Sequence, residues 1–393
     1  MITVEEAQAR ILALAGPLQV EEVPLAQAAG RRLAAAVAAL ADAPPFDASA
    51  MDGYAVAGAV AEGAVFRVIG QAAAGQPWPG RLAPGEALRI FTGAMLPEGA
   101  QAVLIQEDAE VTGETVTVRP GHDRARYIRP RGQDFAAGFT LAPRRLRPAD
   151  LALLAAMGHG RVPVARRPVV AVISTGDDLV PPGGALGTGQ IAAANSVALA
   201  AGGAAEGAMV RRLPIARDEP AHLAAVLRLA EGADLVVTSG GASVGDHDLV
   251  APVARALGLK AAFHRVAMRP GKPLMAGRMG GTALIGLPGN PVSSIVCGLI
   301  FMCPLIRAMQ GDSAPLPQLS RAELAEDTGP TGPRTHYMRA RLTPGPAAVP
   351  LIAPFPSQDS GQLRTLAEAD ALLIRPQGDG PRRRGEAVDY IPL

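Results

Sequence analysis

Between residues 168 and 310 the chain repeats one pattern: an uninterrupted apolar run, a polar glycine-rich loop, and a helix-forming stretch. The runs are 169–173, 234–238 (opened by Asp234) and 283–286; the helix-forming stretches are 219–230, 248–257 and 292–309. Strands apolar on both faces belong to a parallel sheet covered by helices on both sides. The alternation therefore predicts a doubly wound α/β domain over residues 167–315, with ligands taken at the carboxyl ends of its strands.

The flanks read differently. Thr3-Val4-Glu5-Glu6 is a capping box, with Thr3 as N-cap and Glu6 reaching back, followed by Ala7, Ile11, Leu12 and Leu14 at helical spacing. A second helix is predicted over 148–157. Residues 1–43 and 138–166 together are expected to form a small helical linking domain. Short β runs at 65–69, 102–105 and 115–118, separated by Gly and Pro turns, predict a β-rich inserted domain over 44–137. Runs at 337–341 and 371–374 predict a C-terminal β domain over 316–393.

Composition removes several classes of function. Lys and Arg number 37 against 36 Asp and Glu, so no charge excess argues for nucleic acid or a membrane surface. Two cysteines, Cys297 and Cys303, cannot build a disulfide framework or a four-ligand zinc site, and their spacing in an apolar helix suits the core. The six histidines show no metal-ligand spacing. The N-terminus has neither a basic region nor an apolar one, and the run 292–309 contains Pro304 and Arg307. A cytoplasmic protein with a buried helix at 292–309 is expected.

Chemistry gathers in four loops: Ser174-Thr175-Gly176-Asp177-Asp178, the segment from Ser239, Gly240 and Gly241 through Ser243 and Asp246 to Asp248, Arg269-Pro270-Gly271-Lys272-Pro273, and Leu287-Pro288-Gly289-Asn290-Pro291. Glycine lets backbone N–H groups approach an anion, and a following helix start adds partial positive charge. Carboxylates in the same loops suit Mg²⁺-assisted phosphate chemistry, although Asp248 equally suits a helix N-cap. Of the 37 basic residues only Lys260 and Lys272 are lysine, and the only asparagines are Asn195 and Asn290. Two of these four, Lys272 and Asn290, lie in those loops. Asp52-Gly53 is either a ligand-facing carboxylate or an ordinary turn, and the basic segment 124–131 either receives a phosphate or is a solvated turn.

Taken in order, these segments resemble the molybdopterin molybdenumtransferase family (MoeA of bacteria, the gephyrin E domain of animals). The resemblance runs from Pro45-Phe46-Asp47 and Ser49-Ala50-Met51-Asp52-Gly53-Tyr54-Ala55 through Arg89-Ile90-Phe91-Thr92-Gly93-Ala94 and Arg129-Pro130-Arg131-Gly132-Gln133-Asp134. It continues through Gly189-Gln190-Ile191, Asn195 and the four loops. It implies a homodimer whose active site joins the α/β domain of one subunit to the β-rich domain of the other. The implied reaction is Mg²⁺-dependent hydrolysis of adenylylated molybdopterin, with molybdate inserted at the dithiolene and AMP released. An adenylyltransferase would supply the pterin, and molybdoenzyme maturation partners would receive the product.

By motif, the resemblance implies catalytic roles for Asp52, Thr92, Asp134, Asp178, Asp248 and Lys272, with Asp52, Asp178 and Asp248 on the metal. It implies pterin contacts at Asp234, Ser239, Gly240, Gly241, Ser243, Pro288, Gly289 and Asn290, and a molybdate pocket of Arg269, Arg339 and Ser360. Two positions depart from the pattern: Asp178 stands where the family usually has Glu, and Ala193 where it usually has an acid. The second departure motivates an alternative expectation, a diverged paralogue or a non-catalytic pterin-binding scaffold.

Overall fold

The computed structural model describes residues 1–241, 249–345 and 348–393. They form two compact units, one of residues 22–164 and one of residues 1–21 with 165–393.

In the first unit six strands form one sheet in the order Ala102–Ile105, Gly53–Val56, Glu86–Ile90, Val65–Ala72, Thr115–Val118, Ala109–Thr112. Alternation along Gly53–Val56 sends Tyr54 and Val56 into one apolar layer and Ala55 into another, so the sheet is covered on both faces. Gly53 has no room for a side chain, since an added Cβ would collide with the backbone of Leu104. The expected helix appears as Pro148–Ala156, with Pro at its start and Asp150 accepting from the Arg147 N–H. Its Leu154 packs with Leu33, Leu146, Val162 and Val164 in a separate small core.

The second unit holds the α/β domain. Its sheet runs Met209–Arg212, Val169–Ser174, Leu235–Ser239, Thr282–Leu287, Pro273–Met279, Leu259–Arg265; the first four strands are parallel and the last two antiparallel. Val170, Val172, Leu235, Val237 and Ile285 face one side, in a core shared with the helices Val4–Leu12, Ala194–Ala205 and the 291–309 segment. Ala171, Ile173, Val236 and Leu284 face the other side, against Pro220–Arg228 and Val250–Ala256. The doubly wound expectation is met.

Helix Val4–Leu12 begins as its sequence predicts, with Thr3 Oγ1 accepting from Glu6 N at 3.1 Å. The reciprocal half of the box is absent, because the Glu6 carboxylate pairs with Arg10 instead. Val4, Ala7 and Ile11 pack into the α/β core, so residues 1–21 belong with this unit rather than with 138–166.

The apolar 291–309 segment is long enough to cross a membrane but is a core helix, most of it buried. It consists of Pro291–Cys297, a π-helical turn Gly298–Met302, and Cys303–Met309. The wider turn falls immediately before Pro304, which has no N–H to donate back into the helix. Cys297 and Cys303 are both free and buried, and burial pushes the Cys303 thiol up to about 12.

In the C-terminal region Thr335–Thr343, Leu351–Pro354, Ser320–Leu324, Ala387–Pro392 and Ala371–Arg375 pair in sequence. A further pairing of the first with the last closes them into a small barrel. Met268–Arg269 joins its outside, parallel to Thr335–His336.

Candidate active site

The parallel strands end side by side. Ser174 is in register with Ser239, and Ser239 with Leu287, so three of the four glycine-rich loops start from one edge of the sheet. Gly240 and Gly241 have φ of +103° and +60°, backbone that favours glycine. At Gly240 an added Cβ would lie 2.5 Å from the Thr175 carbonyl oxygen and 2.6 Å from its hydroxyl. Bare backbone is thus pressed against the first loop. The Leu287–Pro291 loop is equally close, since a Cβ on Gly289 would touch Gly240 Cα at 3.5 Å.

Both asparagines hold this arrangement together. Asn195, in the first turn of helix Ala194–Ala205, donates to Ser239 Oγ at 3.0 Å and to the Gly289 carbonyl at 2.7 Å. Ser239 Oγ also lies 2.9 Å from Ser294 Oγ. Asn290 donates to Ser360 Oγ at 3.0 Å, and Val292 N donates to the Ser360 carbonyl. Next to Ser360, Asp359 accepts through its carbonyl from Arg339 at 2.8 Å. Arg339 is 2% exposed and also donates to the carbonyls of Ser357 and Gln362 and to Gln358 Oε1. One hydrogen-bonded path therefore connects the sheet edge to the barrel, through five of the residues the motifs had singled out. Burial, with the charge of Arg269 behind it, lowers the Arg339 pKa.

A cavity of about 290 Å³ opens at this edge, lined among others by Ser174, Thr175, Asp178, Ala193, Asn195 and Asn290. Among the described residues Asp178 is the single carboxylate in its lining. Asp177 turns away and accepts from Asp218 N at 3.2 Å. The sequence reading passed over Asp218; its signal was a position just beyond Met209–Arg212, a strand too exposed and too basic to read as one. Ser174 Oγ and Thr175 Oγ1 are buried and have no hydrogen-bond partner among the described residues. Each such hydroxyl costs about 1–3 kcal/mol unless something supplies a partner.

In the Arg269–Pro273 loop, Gly271 has φ +110° and lies against Cys297, so the loop is seated on the 291–309 helix. Arg269 and Lys272 are exposed. Lys272 makes no ion pair among the described residues. His336, beside Arg269 in the barrel pairing, was not anticipated. Its Nε2 is buried without a partner among the described residues. Burial, reinforced by Arg269, Arg339, Arg334 and Arg375, pulls its pKa down to about 4.

One assigned residue lies apart from this edge. Asp234 stands at the amino end of its strand, on the far side of the sheet from Ser239, about 16 Å away at the rise of a β-strand. It accepts two bonds from Arg166, at 2.8 and 3.0 Å, and one from Val169 N at 2.7 Å. These bonds fasten the sheet. Ser243, Asp246 and Asp248 lie outside the described residues.

In the 22–164 unit the structure brings Asp52 and Thr92 together. Asp52 Oδ1 accepts from both Thr92 N and Thr92 Oγ1 at 2.7 Å, and these bonds hold its carboxyl below the ordinary range. Arg89 sits above the Tyr54 and Phe91 rings nearby. Asp134 is exposed. Of the basic segment, Arg131 pairs with Asp42 and Arg126 donates to the Gln101 carbonyl. Among the described residues no three Asp, Glu, His or Cys side chains gather as a metal-ligand set.

Comparison with known proteins covers the chain in three parts. Residues 2–158 match the MoeA N-terminal region (domain I and II), residues 171–308 a probable molybdopterin binding domain, and residues 321–393 the MoeA C-terminal region (domain IV). Molybdopterin molybdenumtransferase 2 of Mycobacterium tuberculosis (strain CDC 1551 / Oshkosh) is 38% identical over 305 residues, which is 75% of this chain and 74% of that protein. The molybdopterin molybdenumtransferase of Staphylococcus aureus (strain MSSA476) is 31% identical over 329 residues, covering 83% of this chain and 78% of its own. The crystal structure of the molybdopterin biosynthesis MoeA protein from Pyrococcus horikosii superposes with a TM-score of 0.83 at 31% identity, over 100% of this chain and 99% of that one.

Proposed function

This chain belongs to the molybdopterin molybdenumtransferase family, and from that premise we propose that it inserts molybdate into adenylylated molybdopterin with release of AMP, a step of molybdenum cofactor biosynthesis. The observation that carries the reading is the hydrogen-bonded path from Ser239 through Asn195, Gly289, Asn290 and Ser360 toward Arg339. It puts glycine backbone suited to a phosphate next to cationic and hydroxyl groups suited to a tetrahedral dianion.

In this reading Gly240, Gly241, Pro288, Gly289, Asn290, Ser239 and Ser243 hold the pterin phosphate and its adenylate. Arg269, Ser360 and Lys272 hold molybdate, with the Lys272 ammonium offsetting charge that builds as the phosphoanhydride breaks. The buried Arg339, spent on the Ser357, Asp359 and Gln362 carbonyls, fixes the Ser360 segment behind them. Asp178 in the cavity lining fits a Mg²⁺ shared with substrate oxygens and water, the coordination this ion prefers, and Asp52 and Asp248 are its further proposed ligands. Bound there, Mg²⁺ would neutralise phosphate charge. Asp52, Thr92 and Asp134 would serve the substrate held by a second copy in a homodimer. Its donor would be an adenylyltransferase, its acceptors molybdoenzyme maturation partners, and its place the cytoplasm.

Complementation tests the reading. A strain lacking the transferase should recover activity of its molybdoenzymes as a group when this chain is supplied. Expression of folded chain without recovery overturns it.

A further inference from the structure

We propose that Arg89 is a positioning residue for the Asp52–Thr92 pair, holding the two segments that carry it at a fixed separation. The inference rests on the transferase reading only for what the pair does.

Asp52 and Thr92 sit just beyond neighbouring ends of two paired strands. Gly53–Val56 starts one residue after Asp52, and Glu86–Ile90 stops two residues before Thr92. Residues just outside a sheet lack its ladder and need other ties to hold a geometry.

Arg89 supplies those ties. It stands opposite Tyr54 in the antiparallel ladder. Its guanidinium lies over the Tyr54 ring at 5.1 Å and over the Phe91 ring at 4.9 Å from their centroids. It donates to the Gly53 carbonyl at 3.2 Å and to Gln106 Oε1 at 2.9 Å. Each of these partners adjoins the pair. Gly53 and Tyr54 follow Asp52, Phe91 precedes Thr92, and Gln106 donates its N–H to the Asp52 carbonyl at 3.1 Å. One side chain thus grips both segments, and the two Thr92 bonds at 2.7 Å close the pair between them.

Charge alone would not do this. A planar fork can lie on two rings while it donates in two directions, whereas an ammonium is a compact point that cannot hold all four partners. Arg67, on the next strand of the same sheet, makes the contrast: it is 65% exposed and pairs with Glu86 at 2.6 Å.

Arg89→Lys, which keeps the charge, is the test, with Arg67→Lys as its control. Native-state hydrogen exchange should show the Thr92 amide exchanging about tenfold faster in Arg89→Lys, because its bond to Asp52 opens more often. With adenylylated molybdopterin and molybdate, kcat should fall about 10²-fold, the scale of a misplaced group, while KM holds because the proposed pterin contacts belong to the α/β domain. In a Thr92→Val chain the pair is already loosened, and adding Arg89→Lys should lower kcat by about tenfold or less. Arg67→Lys should change neither exchange nor turnover. Thr92 exchange as slow in Arg89→Lys as in the unaltered chain overturns the inference. So does an equal fall in kcat with and without Thr92→Val, which is what a general weakening of the sheet would give. Faster Thr92 exchange in a chain that never turns over substrate removes the transferase and leaves Arg89 in its role. Unchanged exchange with full turnover does the reverse.

Discussion

The two ends of the α/β sheet solve opposite problems with similar residues. At the amino end Asp234 accepts from Arg166 twice and from Val169 once, and its polar capacity is spent inside the protein. At the carboxyl end of the neighbouring strand the hydroxyls of Ser174 and Thr175 have no partner among the described residues. A satisfied carboxylate stabilises the fold and offers nothing to a ligand. An unsatisfied hydroxyl weakens the fold and keeps a bond in reserve. Polarity alone does not mark a site; unspent polarity beside a cavity does.

Four substitutions test that contrast, from the largest effect down. Gly240→Ala places a Cβ 2.5 Å from the Thr175 carbonyl oxygen at a φ of +103°. It should cost about 3 kcal/mol and lower ligand affinity as well, because the two loops it separates also frame the cavity. Urea unfolding near wild-type stability would show that the loops are not pressed together as described.

Lys272→Arg should divide activity from stability. The lysine is exposed and unpaired, so the melting temperature should hold. The broader guanidinium fork replaces a compact charge in a loop tied down at Gly271, and turnover should drop about 10²-fold. Lys260→Arg, on the strand Leu259–Arg265 away from the loops, should leave turnover as it is. Equal turnover for both variants would reduce Lys272 to surface charge.

His336 is an unpartnered group away from the sheet edge, and its effect should appear in pH dependence. Its pKa is about 4 in the folded chain and about 6.5 unfolded, so the unfolded state binds the proton first. Its neutral form is fully accommodated above about pH 6.5, and stability is lost as pH falls through the window from 6.5 to 4. His336→Gln should remove about 2 kcal/mol of that loss, read by urea unfolding at pH 7 and pH 4.5. Parallel pH profiles for the two proteins would mean the imidazole is not buried as described.

The smallest effect is expected at the satisfied end. Asp234→Asn keeps the shape but weakens the bonds to Arg166, and should cost about 1 kcal/mol with turnover unchanged. Lost turnover at unchanged stability would put Asp234 back in the site and erase the difference between the two ends.

How much of this was legible in the sequence follows from what each residue depends on. The strands Val169–Ser174, Leu235–Ser239 and Thr282–Leu287 were readable because burial on both faces demands an unbroken apolar run. Met209–Arg212 was not, because it is an exposed edge strand ending in two arginines. Leu259–Arg265 was obscured by two register irregularities against its neighbour. Helix Ala194–Ala205 is mostly alanine and glycine, without a capping side chain, so neither periodicity nor a start signal announced it.

Among site residues, Ser239, Gly240, Gly289 and Asn290 were visible because a strand-to-helix turn that approaches a ligand needs those residue types in that order. Asp234 sat one residue before the same apolar run and looked equally eligible. Only the fold shows that a strand carries its two ends to opposite edges of the sheet, and that Arg166, 68 positions away, had already claimed the carboxylate. Arg339 showed the converse: its charge was evident, but its tie to Ser360 through the Asp359 carbonyl required the barrel to be folded against the 291–309 helix.

The sequence by itself determined which segments are apolar on both faces, where they must turn, and which loops have the glycines and carboxylates for phosphate chemistry. Those properties are local, set by side-chain volume, charge and backbone freedom over a few residues. Tertiary structure alone decided which polar groups are spent and which are not: Asp234 against Arg166, Asn195 against Ser239 and Gly289, and the Ser174 and Thr175 hydroxyls against no partner among the described residues. A hydrogen bond depends on partners brought within 3 Å by packing from anywhere in the chain, so its absence, like its presence, is a property of the fold.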